Sequence, residues 1–235
     1  MKFSIRHLCV VLVFCQMIVS ACQTAELSMP ETAIPSPSPA ADDAVNRKTS
    51  EPYTGDLSIF EDAERAKNLK IDRVMDILKI SDGKTVADIG AGSGWFTVRA
   101  AKRVGEKGRV FAVEINQPYI EHIKQRAARE DFANITTVLA AEDDPRLPPA
   151  AVDAVLILKT YHEIAQPIRY LKNLRTCLRE GSMIGIIDRN GNGEDHGIQI
   201  ETVIAEAKQA GYTLSGQYDF VKTDGQDYFL VFRVN

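Results

Sequence analysis

The segment Val86-Ala87-Asp88-Ile89-Gly90-Ala91-Gly92-Ser93-Gly94-Trp95 decides the fold. A short apolar run ends in an acidic residue, three glycines follow at alternate positions, and a helical pattern begins. This order predicts a β-strand that leads through a glycine-rich turn into a helix, a geometry that lets the backbone approach a nucleotide-like ligand. A dinucleotide-binding fingerprint requires Gly-x-Gly-x-x-Gly, and its third small residue would fall at Trp95. The spacing therefore disfavours a dehydrogenase.

The rest of the chain predicts an α/β fold. Strand-like apolar runs alternate with helical patterns through short links, which indicates a parallel sheet covered by helices on both faces. Two further strand-like runs, near 214–222 and 226–234, flank Thr223-Asp224-Gly225 and predict an antiparallel hairpin. The earlier predicted strands are near 84–89, 109–114, 135–140, 151–158 and 182–188, and the predicted helices that follow the first strand are near 94–103, 117–129, 166–177 and 198–210.

The pattern Asp-x-Gly-x-Gly-x-Gly from Asp88 to Gly94 resembles motif I of the class I S-adenosylmethionine-dependent methyltransferases. The resemblance covers roughly residues 60–235. It implies a three-layer, Rossmann-like fold with a seven-stranded sheet, mostly parallel, whose C-terminal antiparallel hairpin distinguishes it from the dinucleotide-binding fold. It also implies S-adenosyl-L-methionine as the cofactor. The implied cofactor residues are Asp88, Gly90, Ala91, Gly92, Gly94, Glu114, Ile115, Glu142, Asp143 and Lys159.

The resemblance also assigns roles to some of these residues. Asp88 organises the methionine end of the cofactor. Glu114 ends the second predicted strand twenty residues after Gly94, where a carboxylate accepts hydrogen bonds from both ribose hydroxyls. Ile115 would then flank the adenine.

The adenine site departs from the family pattern. Many members have Gly-Asp-Ala after the third strand, whereas this chain has Ala140-Ala141-Glu142 followed by Asp143. The alternatives are that Glu142 or Asp143 contacts the adenine, that backbone amides alone do so, or that the segment is a solvated acidic loop.

The residues after the fourth predicted strand, Leu158-Lys159-Thr160-Tyr161-His162-Glu163, are expected beside the reacting methyl group. Methyl transfer is an in-line displacement, so the protein mainly positions the reactants and supplies a base when the nucleophile carries a proton. His162 has a suitable pKa for that base, and Tyr161 is expected to pack on the cofactor or orient the substrate. We therefore predict Tyr161 and His162 as catalytic. The alternative is that these residues only begin a helix.

A glycine-rich loop, residues 188–197, follows the fifth predicted strand and overhangs the same face. His196, near its end, is a candidate for the substrate site, because related subgroups often have a histidine there; a solvated loop is the alternative. The Asp-x-Asn-x-Asn spacing in this loop lacks the terminal Glu and flanking helices of a calcium-binding EF-hand. No metal site is predicted.

The first 21 residues are expected to be a targeting segment. Lys2 and Arg6 precede a nearly continuous apolar run from Leu8 to Val19, which is too short to span a bilayer, where about 20 residues are needed. Val19-Ser20-Ala21-Cys22 resembles the lipobox of bacterial lipoprotein signal peptides. The resemblance implies cleavage before Cys22 and lipid attachment to its thiol.

The lipobox sets the expected domain organisation. Residues 1–21 are the predicted signal peptide, 22–58 a Pro/Ser-rich tether that cannot bury enough surface to fold, and 59–235 the methyltransferase domain. The expected location is the cell envelope, lipid-anchored, with Gln23 favouring the periplasmic side of the outer membrane. If Met29 is instead the true start, the protein is cytoplasmic.

Composition narrows the function. A formal net charge of −4 disfavours a nucleic-acid partner. The Asn/Asp-Pro-Pro-Tyr signature of amino methylation and the Pro-Cys pair of cytosine methylation are both absent from the sequence. The main hypothesis is a methyltransferase for a small-molecule acceptor, of undetermined oligomeric state. The alternative is a non-catalytic envelope lipoprotein of the same fold that binds a ligand or a protein.

Overall fold

The computed structural model describes residues 46–49, 53–191, 196–222 and 225–234. Within these ranges the strands are β1 (Thr85–Ile89), β2 (Arg109–Glu114), β3 (Ile135–Leu139), β4 (Val152–Leu158), β5 (Leu178–Arg189), β6 (Tyr212–Tyr218) and β7 (Asp227–Val234). The α-helices are α1 (Arg65–Asn68), α2 (Ile71–Ile77), α3 (Trp95–Val104), α4 (Gln117–Arg129), α5 (Pro167–Thr176) and α6 (Ile200–Gln209), and 3₁₀ turns cover Leu57–Phe60 and Tyr161–Glu163.

The seven strands of the described residues form one sheet in the order β3-β2-β1-β4-β5-β7-β6. Strands β1 to β5 run parallel to one another. Strand β7 pairs antiparallel with both β5 and β6. The predicted fold class, with its C-terminal antiparallel pair, is confirmed.

Strand β4 lies at the centre of the sheet and contributes to the core on both faces. Ala154 and Leu156 belong to the cluster that packs α2 and α3 against the sheet, whereas Val155 and Ile157 belong to the cluster that contains α5 and α6. All four side chains are at most 1% exposed. A central parallel strand must be apolar on both faces, because helices cover both.

The strand order reverses at β1. The chain proceeds from β1 to β2 and β3 on one side of the sheet, and then crosses back to place β4 on the other side of β1. In open α/β sheets a crevice forms at this point, outside the carboxyl ends of the strands, and ligands bind there. The glycine turn after β1 lies at this reversal.

Part of the predicted tether lies against the domain. The Arg47 guanidinium donates hydrogen bonds to both carboxylate oxygens of Glu206, at 3.0 and 2.9 Å, and to the carbonyl oxygen of Tyr161. The Tyr119 hydroxyl donates to the carbonyl oxygen of Tyr53 at 3.0 Å. The division of the chain at residue 59 stays a prediction, but residues 46–49 and 53–58 contact the domain and are not a free spacer.

The predicted signal peptide, with Cys22 and the tether up to residue 45, lies outside the described residues. So do Thr223 and Asp224 of the predicted hairpin turn. Among the described residues, none of the helices combines the length and the apolar character that crossing a membrane would require.

The docking of residues 46–49 predicts a stability change. The Arg47 and Glu206 side chains are only 13% and 9% exposed, and removing one partner of a buried ion pair costs about 3–5 kcal/mol. We expect Arg47→Ala to lower the free energy of unfolding by about 3 kcal/mol, and by less in a Glu206→Gln background, where no charge is left unpaired. Urea unfolding measures both.

The matched control is Arg129→Ala. The Arg129 side chain is 64% exposed and lies 3.7 Å from Glu130, so its loss is expected to cost about 0–1 kcal/mol. A cost for Arg47→Ala no larger than this would show that residues 46–49 do not dock on the domain in solution.

Candidate active site

A cavity of about 560 Å³ lies at the carboxyl ends of β1, β2 and β4. Its walls come from the glycine turn, from the residues that follow β2, β3 and β4, and from the N-terminal segment. The sequence predicted that the glycine turn would line this site, but it did not predict that the N-terminal segment would. Thr49, Tyr53, Thr54, Phe60 and Arg65 line the cavity from the N-terminal side.

The glycine turn is held by strand β2. Gly90, Gly92 and Gly94 have φ of 69°, 53° and 77°, in the left-handed region that favours glycine. The backbone N–H groups of Gly90 and Ala91 both donate to the carbonyl oxygen of Val113, at 2.9 and 3.1 Å. A Cβ atom on Gly90 would lie 2.3 Å from the Thr160 side chain. The turn therefore packs against the segment after β4 with no room for a side chain.

Glu114 is buried at the end of β2 and joins the two sides of the crevice. Its Oε2 accepts the backbone N–H of Gly92 at 3.0 Å, and its Oε1 accepts those of Ile115 and Asn116 at 2.8 and 3.1 Å. These three bonds use three of the roughly four lone-pair sites of the carboxylate, so Oε2 keeps one with which to accept a ligand hydroxyl. Ile115, 45% exposed, borders the cavity beside it. Glu114 thus lines the cavity where a ribose contact is predicted, and that role stays a prediction.

Asp88 forms the floor of the cavity near the helix α3. It is fully enclosed by protein, and its Oδ2 accepts a hydrogen bond from the Thr97 hydroxyl at 2.6 Å. Burial raises the pKa of Asp88 to about 7, although the Thr97 hydrogen bond and the nearby Arg65 guanidinium oppose the shift. Arg65 lies over the Trp95 ring at 4.5 Å and also lines the cavity. A buried carboxyl and a guanidinium close enough to influence it therefore line the same cavity.

The structure separates the two acidic candidates for the adenine site. Glu142 lines the cavity together with Ala140 and Ala141. Asp143 does not line it, and its carboxylate lies 3.4 Å from the Arg169 guanidinium. Of the two predicted side chains, Glu142 is the one that can reach a ligand here, because Asp143 faces α5 instead.

Lys159 lines the cavity, but its ammonium group forms an ion pair with the buried carboxylate of Asp227 on β7. Its backbone N–H donates to the carbonyl oxygen of Ile187 at 2.7 Å, and its φ is 56°. These contacts fix the path of the chain from β4 into the Tyr161–Glu163 turn. Lys159 therefore shapes the cavity wall, and its positive charge is paired with the Asp227 carboxylate.

Tyr161 points away from the cavity, contrary to the predicted catalytic role. Its side chain is fully buried, and its hydroxyl donates to Glu206 at 2.8 Å. The Arg47 guanidinium lies over its ring at 4.9 Å. Burial and the Glu206 carboxylate raise the pKa of Tyr161 well above its ordinary value. The tight 3₁₀ turn directs this residue into the core, so Tyr161 supports the fold rather than touching a ligand.

His162 is buried behind the cavity wall, with its Nδ1 2.9 and 3.1 Å from the two carboxylate oxygens of Asp188. Glu163, which sequence reasoning did not select, lines the cavity instead. Burial raises the pKa of Glu163 to about 7, and the neighbouring imidazole works against the shift. The His196 ring lies 5.8 Å from that of His162, so the two predicted histidines are brought together although α5 and β5 lie between them in sequence.

Comparison with known proteins gives the site a context. Residues 86–181 match the sequence model of a family described as Methyltransferase domain. The chain is 32% identical over 97 residues to the protein-L-isoaspartate O-methyltransferase of Methanococcoides burtonii, covering 40% of this chain and 46% of that protein. It is 30% identical over 95 residues to the aklanonic acid methyltransferase of Streptomyces sp., covering 40% of this chain and 42% of that one. The chain thus spans less than half the length of these relatives.

A solved structure matches over more of the chain. The S-adenosylmethionine-dependent methyltransferase from Aquifex aeolicus superposes with a TM-score of 0.69 at 20% identity, covering 75% of this chain and 95% of that one. This likeness shows a shared fold. The domain match and this shared fold agree with the predicted cofactor, S-adenosylmethionine.

The raised pKa of Asp88 predicts a pH-dependent stability. Between its ordinary value of 3.8 and about 7, the folded state holds a proton that the unfolded state has released. The contribution of Asp88 to stability therefore falls as the pH rises through this window. Asp88→Asn cannot ionise, so the stability of the variant relative to the parent should increase with pH up to about 7, by at most about 1.4 kcal/mol per pH unit.

Urea unfolding of the ligand-free protein between about pH 5.5 and 8.5 measures this difference. Asp72→Asn, at a carboxylate whose side chain is 85% exposed, should show no such trend. If the difference in the free energy of unfolding between the parent and Asp88→Asn does not change with pH, the raised pKa of Asp88 is contradicted.

Proposed function

We propose that this protein is an S-adenosylmethionine-dependent methyltransferase that acts on a small-molecule acceptor. The observation that carries the proposal is the Glu114 carboxylate, fixed by three backbone N–H groups and hydrogen-bonded directly to the glycine turn. This arrangement presents a fixed carboxylate acceptor for a ligand hydroxyl, beside a turn whose only side chains are the small ones of Ala91 and Ser93.

The remaining walls of the cavity fit the other parts of this cofactor. Glu142 and Ile115 lie on the side where an adenine would rest, next to Glu114. Asp88 and Arg65 lie at the opposite, inner side, where a charged amino and carboxylate group can each meet an opposite charge. The residues present therefore fit the cofactor in both shape and charge.

When bound, the cofactor supplies an electrophilic methyl group on a sulfonium. The acceptor forms a bond to the methyl carbon while the carbon–sulfur bond breaks, with its electron pair left on sulfur. The chain contributes orientation, since Glu114 and the glycine turn fix one reactant and the segment after β4 bounds the space for the other. The proton of a hydroxyl or amine acceptor has to leave near the Tyr161–Glu163 turn, where Glu163 lines the cavity.

The partly open cavity favours a small-molecule acceptor. The aklanonic acid methyltransferase has a small molecule in its name, whereas the protein-L-isoaspartate O-methyltransferase is named for a protein group. Residues Tyr53, Thr54 and Phe60 add a wall on the open side, which narrows access for a folded protein. We therefore favour the small-molecule class.

Cofactor binding is tested by calorimetric titration of S-adenosylmethionine and S-adenosylhomocysteine. A hydrogen bond to a charged group is worth about 1.5–3 kcal/mol, so Glu114→Gln should weaken binding of both by about 10- to 100-fold. Glu121→Gln, an exposed carboxylate on α4, is the matched control and should bind like the parent.

Two results of this titration would contradict the proposal. If neither ligand binds to the parent protein, the enzyme proposal is wrong and the non-catalytic binding module is favoured. If both bind equally well to Glu114→Gln, the site has been assigned to the wrong residues.

We further propose that the protein is attached to the cell envelope through lipid on Cys22, as the lipobox-like sequence implies. In a bacterial host fed a tagged fatty acid, the parent should incorporate the tag and sediment with membranes, whereas Cys22→Ser should do neither. Cys15→Ser is the matched control, since it removes a leader cysteine outside the lipobox. Labelling of Cys22→Ser equal to that of the parent would place the lipid on another residue and contradict the proposal, whereas an unlabelled parent would contradict it and favour a start at Met29.

A further inference from the structure

Three potential metal ligands lie together beside the cavity. The Nε2 atom of His162 is 3.8 Å from Oε1 of Glu163, and the rings of His162 and His196 are nearly perpendicular, with centroids 5.8 Å apart. One ligand atom from each of the three residues lies within 4.8 Å of the other two. The cluster combines a buried histidine, a cavity-lining carboxylate and an exposed histidine.

The buried histidine is oriented as a metal ligand would be. The Asp188 carboxylate is fully buried, accepts the backbone N–H of His162 at 3.0 Å and lies 2.9 Å from its Nδ1. This network assigns the proton to Nδ1, so Nε2 carries its lone pair toward Glu163 and His196. A carboxylate that holds the far ring nitrogen in this way is the usual partner of a metal-bound histidine.

The charge around the cluster also favours a cation. The Asp188 carboxylate lies 2.9 Å from Nδ1 of His162, and the Glu163 carboxylate lies 3.8 Å from Nε2 of the same ring. Two carboxylates therefore flank this imidazole at the ends of β5 and β4. A divalent ion between the two histidines and Glu163 would offset their negative charge.

We propose that His162, Glu163 and His196 bind one divalent first-row transition-metal ion, for which Zn²⁺ is the reference, with Asp188 as the positioning residue. Two histidines and one carboxylate are a known ligand set for a zinc site that keeps an open position. Tetrahedral coordination at about 2.1 Å needs ligand atoms about 3.4 Å apart. The cluster has to contract by about 1 Å, which the exposed loop residue His196 can supply.

The open position faces the cavity, because Glu163 lines it. Resting on the proposed methyl transfer, this site selects an acceptor with an ionisable hydroxyl. The ion would coordinate the acceptor oxygen and lower its pKa, so that the proton leaves to solvent before transfer. The oxygen then forms its bond to the methyl carbon as the carbon–sulfur bond breaks, and no oxidant or reductant is needed.

Cobalt binding tests the site without any requirement for turnover. Full-length protein is freed of metal with a chelator and titrated with Co²⁺, whose visible absorption is intense at tetrahedral sites and weak for a loosely held hydrated ion. The parent should bind one Co²⁺ with the intense spectrum, and Zn²⁺ should displace it. His196→Ala should weaken binding by more than tenfold, and Asp188→Asn by about 10- to 100-fold, the range for loss of an outer carboxylate.

His196 is exposed, so His196→Ala is expected to fold like the parent, and its unfolding temperature without metal verifies this. His122→Ala, a histidine on the outer part of α4, is the matched control and should keep the parent's spectrum and affinity. Zn²⁺ should raise the unfolding temperature of the parent but not that of His196→Ala, since only a protein that binds the ion is stabilised by it.

A weak, octahedral-type spectrum, or an intense one that His196→Ala leaves unchanged, would overturn the metal site. The outcome is separable from the cofactor titration. Cofactor binding without the cobalt site leaves the methyltransferase proposal standing and removes the metal, whereas the cobalt site without cofactor binding removes the methyltransferase proposal alone.

Discussion

The hydrogen bond between the backbone N–H of Gly92 and the carboxylate of Glu114 connects the two strand ends on which the site depends. It fixes the glycine turn after β1 to the end of β2, and the bonds from Gly90 and Ala91 to Val113 reinforce the same junction. All three glycines have positive φ, and Gly90 also lies directly against Thr160, where a side chain would not fit. The shape of the cavity therefore depends mainly on the backbone of the glycine turn, and the lining side chains add to it.

The fold and the inner half of the site were accessible to sequence reasoning because their signals are local. Strand periodicity, the three alternate glycines and an acid at the end of the next strand each specify a conformation or a position within a few residues. The sheet then brings these positions together by topology alone. Glu114 and Asp88 consequently lie where the sequence placed them.

The outer half could not be predicted in this way, because it depends on contacts between distant parts of the chain. Tyr53 reaches the cavity only through the docking of an N-terminal segment that looks like a spacer. Tyr161 and Glu163 are two positions apart, and the tight turn, not residue chemistry, decides which one faces the ligand. His162 and His196 carry no shared motif, and only the end of β5 brings them side by side.

The contact between Arg47 and Glu206 joins positions that are 159 residues apart in sequence. Closing so long a loop has an entropic cost that is offset only once both ends have folded partners. Helix α6 must be in place before residues 46–49 can dock. The docking of residues 46–49, and with it the cover that Arg47 gives the buried Tyr161 ring, is therefore expected to come late in the folding of the domain.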